Sequence, residues 1–188
     1  LDLSNGFLLA TFHPETLGDR TPEDQIATFL SGLSTVTDRP LLITRPNADA
    51  GSGAVRAALD AFAVERPGQV RIVESLGAQG YLRALMACDA VVGNSSSGVI
   101  EAPAAGTPSV NVGLRQDGRL KPTSVIDCPL DPAAIADAIR RATARGFKTA
   151  AQSQPPPFGD GRAGQRIVEI LEGTDLAGLA RKPFIDRV

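Results

Sequence analysis

The stretch "AVVGNSSSGVIEAP", Ala90–Pro103, decides the fold. A short apolar run ends in glycine. An asparagine, three serines and a second glycine follow, and an apolar pattern of helical period then resumes. Continuous apolar strands of this length belong in a sheet covered on both faces. A polar loop between such a strand and a helix is the βα turn of an α/β domain, where ligands bind outside the carboxyl ends of the strands.

The same alternation extends in both directions. Strands are predicted at Phe7–Phe12, Leu41–Thr44, Val70–Val73, Ala90–Val92, Ser109–Val112 and Val125–Ile126. Helices are predicted between them, at about Pro22–Leu33, Gly53–Glu65, Gln79–Ala87, Ser97–Ala105 and Asp131–Ala144. The expected fold is therefore α/β, a Rossmann-like, doubly wound parallel sheet of about six strands with helices on both faces. "QSQPPP", Gln152–Pro157, reads as a stiff connector before a closing helix at about residues 162–172. That helix belongs either to this core or to a neighbouring domain.

The 188 residues suit one domain with a real core. With 43% apolar and 21% charged residues and a net charge of −2, the chain has no electrostatic footprint for nucleic acid or an anionic membrane. No apolar run is long enough to predict a membrane span, and the start lacks the order of a signal peptide. Cys88 and Cys128 lie in apolar segments without metal-ligand spacing and read as buried free thiols. Together these features suit a cytoplasmic protein with no cofactor and no metal. The chain opens at Leu1 and enters a strand by Phe7, as a fragment of a longer polypeptide would.

The unusual polar residues gather after the strands. His13 follows the first, Asn47 and Asp49 the second, Ser75 the third, Asn94–Gly98 the fourth, and Arg115 with Gln116 the fifth. In "GNSSSG", backbone N–H groups at a helix start, serine hydroxyls and two glycines make a site suited to phosphate. The structural alternative is one capping serine with solvated neighbours. No Lys follows the second glycine, so this is not a Walker loop. Glu101 lies four residues after Ser97, one helical turn on, where a carboxylate can accept hydrogen bonds from a ribose diol; a solvated first-turn Glu is the alternative. Arg115 can neutralise a diphosphate through planar bidentate contacts. His13, the chain's one histidine, stands at the same edge, although a lone histidine is often structural. Asn47 and Asp49 can equally order their own loop. "GSGAVR", Gly51–Arg56, fails the dinucleotide fingerprint because Arg56 stands where Gly or Ala is needed.

Taken together, "TFHPET", "RPNADAG", "SLGAQGYLRALMACDAVVGNSSSGVIEAP", "GTPSVNVGLRQDGR", "SVIDC" and "PFGDGRAGQRIVEIL" resemble the hydrolysing UDP-N-acetylglucosamine 2-epimerases over nearly the whole chain. The resemblance implies the C-terminal, nucleotide-holding half of a two-domain glycosyltransferase-B fold. The catalytic N-terminal half would be absent from this chain and would be its partner. Homo-oligomers are a further possibility. The resemblance implies that Ser95, Ser96, Ser97 and Gly98, with Asn94 at their head, bind the UDP diphosphate, and that Glu101 binds the ribose. Leu76 and Gly77 would lie near the uracil and Arg115 near the phosphates. His13, Asn47 and Asp49 would line the sugar side, His13 as the acid–base residue. The implied reaction removes the C2 proton, expels UDP and adds water to give N-acetylmannosamine. This chain alone is then expected to bind UDP without turnover. The rival readings are half of a glycosyltransferase and a non-catalytic nucleotide-sugar-binding module. Three residues depart from the family pattern: Glu15 in place of a frequent Val, Leu114 in place of a common Asp, and Asp117 in place of a common Lys.

Overall fold

The computed structural model describes residues 2–16, 19–36, 39–155, 157–178 and 181. They separate into two compact units, Leu1–Pro157 and Phe158–Val188.

The first unit is built on six short strands: β1 (Leu8–Thr11), β2 (Leu41–Thr44), β3 (Val70–Val73), β4 (Ala90–Gly93), β5 (Ser109–Val112) and β6 (Val125–Cys128). All pair in parallel, in the order β3-β2-β1-β4-β5-β6. This is the Rossmann order, and the direction of winding reverses between β1 and β4. Helices α1 (Pro22–Ser34), α2 (Ser52–Glu65), α3 (Gly77–Ala87), α4 (Glu101–Ala104), α5 (Pro132–Ala142) and α6 (Arg145–Gln152) complete the unit.

The period of two along each strand sorts the core into two layers. Leu8 and Ala10 of β1 and Phe12 just after it, with Leu41, Ile43, Ala90 and Val92, join the larger cluster with α1, α2 and α5. Phe7 and Leu9, with Leu42 and Val91, face the other way, against Leu85 of α3 and Ala102 of α4. Both faces of the central strands β1, β2 and β4 are covered, and these are the strands that read as continuous apolar runs. The helix starts are equally local. Thr21 accepts the Asp24 N–H at 3.2 Å ahead of Pro22, and Asp131 accepts the Ala134 N–H at 2.9 Å ahead of Pro132.

Two features differ from the sequence expectation. Helix α6 was not foreseen, because its eight residues, RGFKTAAQ, are mostly polar and too few for their apolar face, Phe147 with Ala150 and Ala151, to stand out. It takes in Gln152, so the "QSQPPP" connector starts later than expected, and its Pro156 lies outside the described residues. The expected helix Ser97–Ala105 is broken into a 3₁₀ turn, Ser96–Gly98, and the four-residue α4. Pro103 explains the break: it has no N–H to donate to the Val99 carbonyl, and its ring would collide with that carbonyl in a continuous helix. Within α4 it occupies the first turn, where no such bond is required.

Both cysteines are free. Cys88 is buried, and burial pushes its thiol up to about 12; Cys128 is half-buried and raised to about 11 for the same reason. The second unit contains α7 (Ala163–Glu172), in which no residue is buried. Among the described residues no helix is long and apolar enough to cross a membrane.

Gly93 ends β4 with φ +139°, and a Cβ there would lie 1.9 Å from the Thr11 carbonyl oxygen. Both the backbone angle and the approach of two neighbouring strands demand glycine. Gly93→Ala should destabilise the fold by about 3 kcal/mol or more. Urea denaturation checks this, and a midpoint equal to wild type would contradict the close approach.

Candidate functional site

The crevice where the sheet reverses its winding lies between the carboxyl ends of β1 and β4. β1 delivers His13 and β4 delivers Asn94. Asn94 is fully buried, and its amide pairs with the main chain of His13: Oδ1 accepts the His13 N–H at 2.8 Å, and Nδ2 donates to the His13 carbonyl at 2.8 Å. The side chain therefore extends the β1–β4 ladder one step beyond the sheet. The Asn94 N–H meanwhile donates to the Thr11 carbonyl at 3.3 Å. Its own carbonyl receives Gln116 Nε2 at 2.8 Å and Arg115 Nη1 at 3.2 Å. One residue thus ties together the ends of three strands.

His13 is 5% exposed. Its Nδ1 accepts the Asn47 N–H at 3.4 Å, which leaves the ring proton on Nε2. Burial is the main cause that lowers the imidazole pKa below its ordinary value; the positive Arg115 adds to it and Asp49 opposes it. Arg115 Nη2 lies 3.9 Å from Asp49 Oδ2, a loose pair at an exposed rim. The crevice accordingly holds a neutral imidazole beside a guanidinium.

A cavity of about 570 Å³ opens here. Thr11 and Thr44, opposite each other in the β1–β2 register and joined Oγ1 to Oγ1, lie at its base. Leu76, Gly77 and Tyr81 from the start of α3 and Ser95 and Ser96 from the loop after β4 line it. His13, Asn47 and Arg115 contribute from the other loops. The structure therefore brings His13, Asn47, Leu76, Gly77, Ser95, Ser96 and Arg115, together with Ser75 of the third edge loop, into one cavity. Asn94 lies beneath it as the clip. Ser97 lies outside the lining, its Oγ 2.6 Å from the Tyr81 hydroxyl. Gly98 is buried, with Ser109 Oγ 2.8 Å from where a Cβ would sit. Asp49 is exposed at the rim. Glu101 is exposed at the start of α4, outside the cavity lining, yet close enough to Tyr81 for its charge to raise the phenol pKa further after burial.

The broken helix alters the physics of the serine loop. A 3₁₀ turn followed by four helical residues carries little macrodipole. The donors this loop can offer are its local N–H groups, its hydroxyls and the nearby Arg115 guanidinium. Ser95 Oγ accepts the Ser97 N–H at 3.4 Å and so shapes the turn itself.

Several residues escaped the sequence reading. Tyr81 is the chain's one tyrosine and sits one turn into α3, a legible signal. Arg56 was read only as a flaw in a fingerprint. It pairs with Glu74 through two bonds of 2.8 and 3.0 Å and donates to the Pro46 carbonyl at 3.2 Å. Both residues line the cavity, and the Arg56 hydrogen bond holds the Glu74 carboxyl below its ordinary pKa. Gln116, placed at this edge by the sequence reading but given no role there, is 1% exposed and donates to the Asn94 carbonyl. Nothing in its local sequence marks that role.

Comparison with known proteins adds a family to this geometry. A family model described as UDP-N-acetylglucosamine 2-epimerase matches residues 2–172. The GDP/UDP-N,N'-diacetylbacillosamine 2-epimerase (hydrolyzing) of Campylobacter jejuni is 29% identical over 99% of this chain and 48% of its own length. The polysialic acid biosynthesis protein P7 of Escherichia coli is 33% identical over 92% of this chain and 45% of its own length. The chain spans about half the length of the curated relatives it matches. Among solved structures, the UDP-GlcNAc 2-epimerase of Neisseria meningitidis bound to UDP-GlcNAc superposes with a TM-score of 0.71 at 16% identity, over 90% of this chain and 46% of the other. At that identity the match concerns the fold, which is one half of the glycosyltransferase-B arrangement.

The lowered His13 pKa has a measurable consequence. The folded value lies below the ordinary 6.5, so between the two the unfolded chain binds more protons. The stability due to neutral His13 is complete above the ordinary value and declines as pH falls through it towards the folded value. The stability difference between wild type and His13→Gln should therefore narrow between about pH 8 and about pH 5. Urea titrations at each pH measure it, and a constant difference would contradict a buried neutral imidazole.

Proposed function

The chain belongs to the UDP-N-acetylglucosamine 2-epimerase family, and from that premise we propose that its cavity holds the UDP part of a UDP-linked, N-acetylated amino sugar. The full reaction is hydrolytic 2-epimerisation, releasing UDP and N-acetylmannosamine or a related amino sugar. The observation that carries this reading is the convergence of Arg115 and His13, both bonded to Asn94, in one cavity with Ser95 and Ser96. Its volume of about 570 Å³ falls among small-ligand sites.

The ligand runs from the Leu76–Gly77 wall, which takes the uracil, across the Ser95–Gly98 turn to the His13 side. The diphosphate meets the backbone and hydroxyl donors of Ser95 and Ser96 and the Arg115 guanidinium. The ribose lies over the turn between Tyr81 and Glu101, and the sugar lies by His13, Asn47 and Asp49. As the bond to UDP breaks, charge grows on the diphosphate oxygens, where preorganised donors and a guanidinium lower the barrier most. Neutral His13 presents its Nε2 proton as a hydrogen-bond donor or acid. It is not poised as the base for a C2 proton.

That base should be a carboxylate with a raised pKa. Glu74, the carboxylate that lines the cavity, is shifted the other way by Arg56. We infer that the base comes from a companion domain and that this chain alone binds UDP without turnover. Ile167, Ile170 and Leu171, exposed on α7, are the residues we assign to contact with that domain.

Calorimetric titration with UDP, GDP and UDP-N-acetylglucosamine tests the reading. UDP should bind, Arg115→Ala should weaken it at least about tenfold, and Ser96→Ala/Glu101→Ala should weaken it further than either single change. The 188-residue chain should release no free N-acetylmannosamine. Indifference to every nucleotide, or turnover by the isolated chain, would contradict the proposal.

A further inference from the structure

The segment His13–Pro14–Glu15 is clipped twice. Asn94 holds the main chain of His13, and Gln25 of α1 does the same for Glu15. Gln25 Oε1 accepts the Glu15 N–H at 2.7 Å, and its Nε2 donates to the Glu15 carbonyl at 3.0 Å. Gln25 is 3% exposed, and Nε2 also donates to the Arg20 carbonyl at 3.0 Å. From this fixed point the Glu15 side chain crosses to the loop after β5. There Oε1 accepts the N–H of Leu114 at 3.1 Å and of Arg115 at 3.2 Å.

Gly113 makes that approach possible. Its φ is +76°, and a Cβ would lie 2.4 Å from Glu15 Oε1. A second cavity, of about 320 Å³, is lined by Pro14, Glu15, Thr16, Leu114 and Arg115. Arg115 therefore stands between the two cavities.

Successive N–H groups that converge on one oxygen form an anion nest. Here the protein supplies the anion itself. We propose that Glu15 is a positioning residue for Arg115: its carboxylate fills the nest of the β5 loop, fixes that loop, and directs the guanidinium across to the Asn94 carbonyl and the main cavity. The proposal rests on the reading of that cavity as the UDP site. A valine, which the family resemblance leads one to expect at this position, could accept neither bond.

Two consequences follow. The N–H pair of Leu114 and Arg115 is withdrawn from any ligand phosphate, so Arg115 meets the diphosphate through its side chain alone. The second cavity is lined by Glu15 and Arg115 together, so substitution of Glu15 by an uncharged residue leaves the guanidinium as the one charged group lining it among the described residues.

The test is a double-mutant cycle in the native polypeptide that carries this chain, read by UDP calorimetry and by amide hydrogen exchange of the free protein. Glu15→Ala should weaken UDP binding about tenfold, and Glu15→Gln, whose amide oxygen accepts both N–H groups, about threefold or less. In an Arg115→Ala background, Glu15→Ala should change affinity by less than about twofold. Without ligand, Glu15→Ala should accelerate exchange at Leu114 and Arg115 and leave Val110, within β5, unchanged. If Val110 also accelerates, Glu15→Met, which keeps the bulk and loses the acceptor, replaces alanine. A tenfold loss that persists beside Arg115→Ala, or unaltered exchange at 114 and 115, overturns the proposal. Failure of the wild type to bind UDP would instead overturn the functional reading, and the exchange data alone would then judge the clamp.

Discussion

Everything at the crevice depends on the buried amide of Asn94. A main-chain segment that leaves a sheet loses its ladder partners, and its polar groups must find others. For His13 those partners are the two ends of one side chain, each at 2.8 Å. The Asn94 carbonyl at the same time takes the donors of Arg115 and Gln116. A residue placed to satisfy buried polar groups thereby fixes an imidazole and a guanidinium relative to each other. Networks of this kind are costly when partly satisfied and rigid when complete. Rigidity is what a site for a charged leaving group requires.

The topology explains why this amide sits where it does. With the order β3-β2-β1-β4-β5-β6, β1 and β4 are neighbours whose following loops diverge to opposite sides. The crevice between them needs a bridge, and Gly93, with the Thr11 carbonyl pressed against it, lets β4 approach closely enough to supply one. Beyond Asn94, Pro103 keeps the chain from forming a long helix. The serine loop is accordingly a tight turn, with Ser95 Oγ turned to the Ser97 N–H and Ser97 Oγ to the Tyr81 hydroxyl.

Much of this was legible in the sequence. β2, β3 and β5 begin and end where the sequence reading put them, because each run keeps apolar residues on the face that packs against the helices. The gathering of polar residues at one edge was legible for a related reason: loops after parallel strands emerge together. The break at Pro103 could have been read from proline chemistry but was masked by the apolar period around it. Gln116 was legible by its place at the sheet edge but not by its role, and Gln25 not at all, since a glutamine that supports a backbone looks the same in sequence as one in solvent. Glu101 illustrates the converse. Its spacing from Ser97 placed it correctly along the chain, but spacing assumed a continuous helix, and the 3₁₀ turn carries it outside the cavity lining.

The most direct measurement is a crystal structure of the native polypeptide with UDP. The account requires the diphosphate to lie against Ser95 and Ser96 with the Arg115 guanidinium on its oxygens, while the Asn94–His13 pairing stays intact beneath it. UDP lodged away from the β1–β4 crevice, or an Asn94 amide turned from His13 to the ligand, would contradict it.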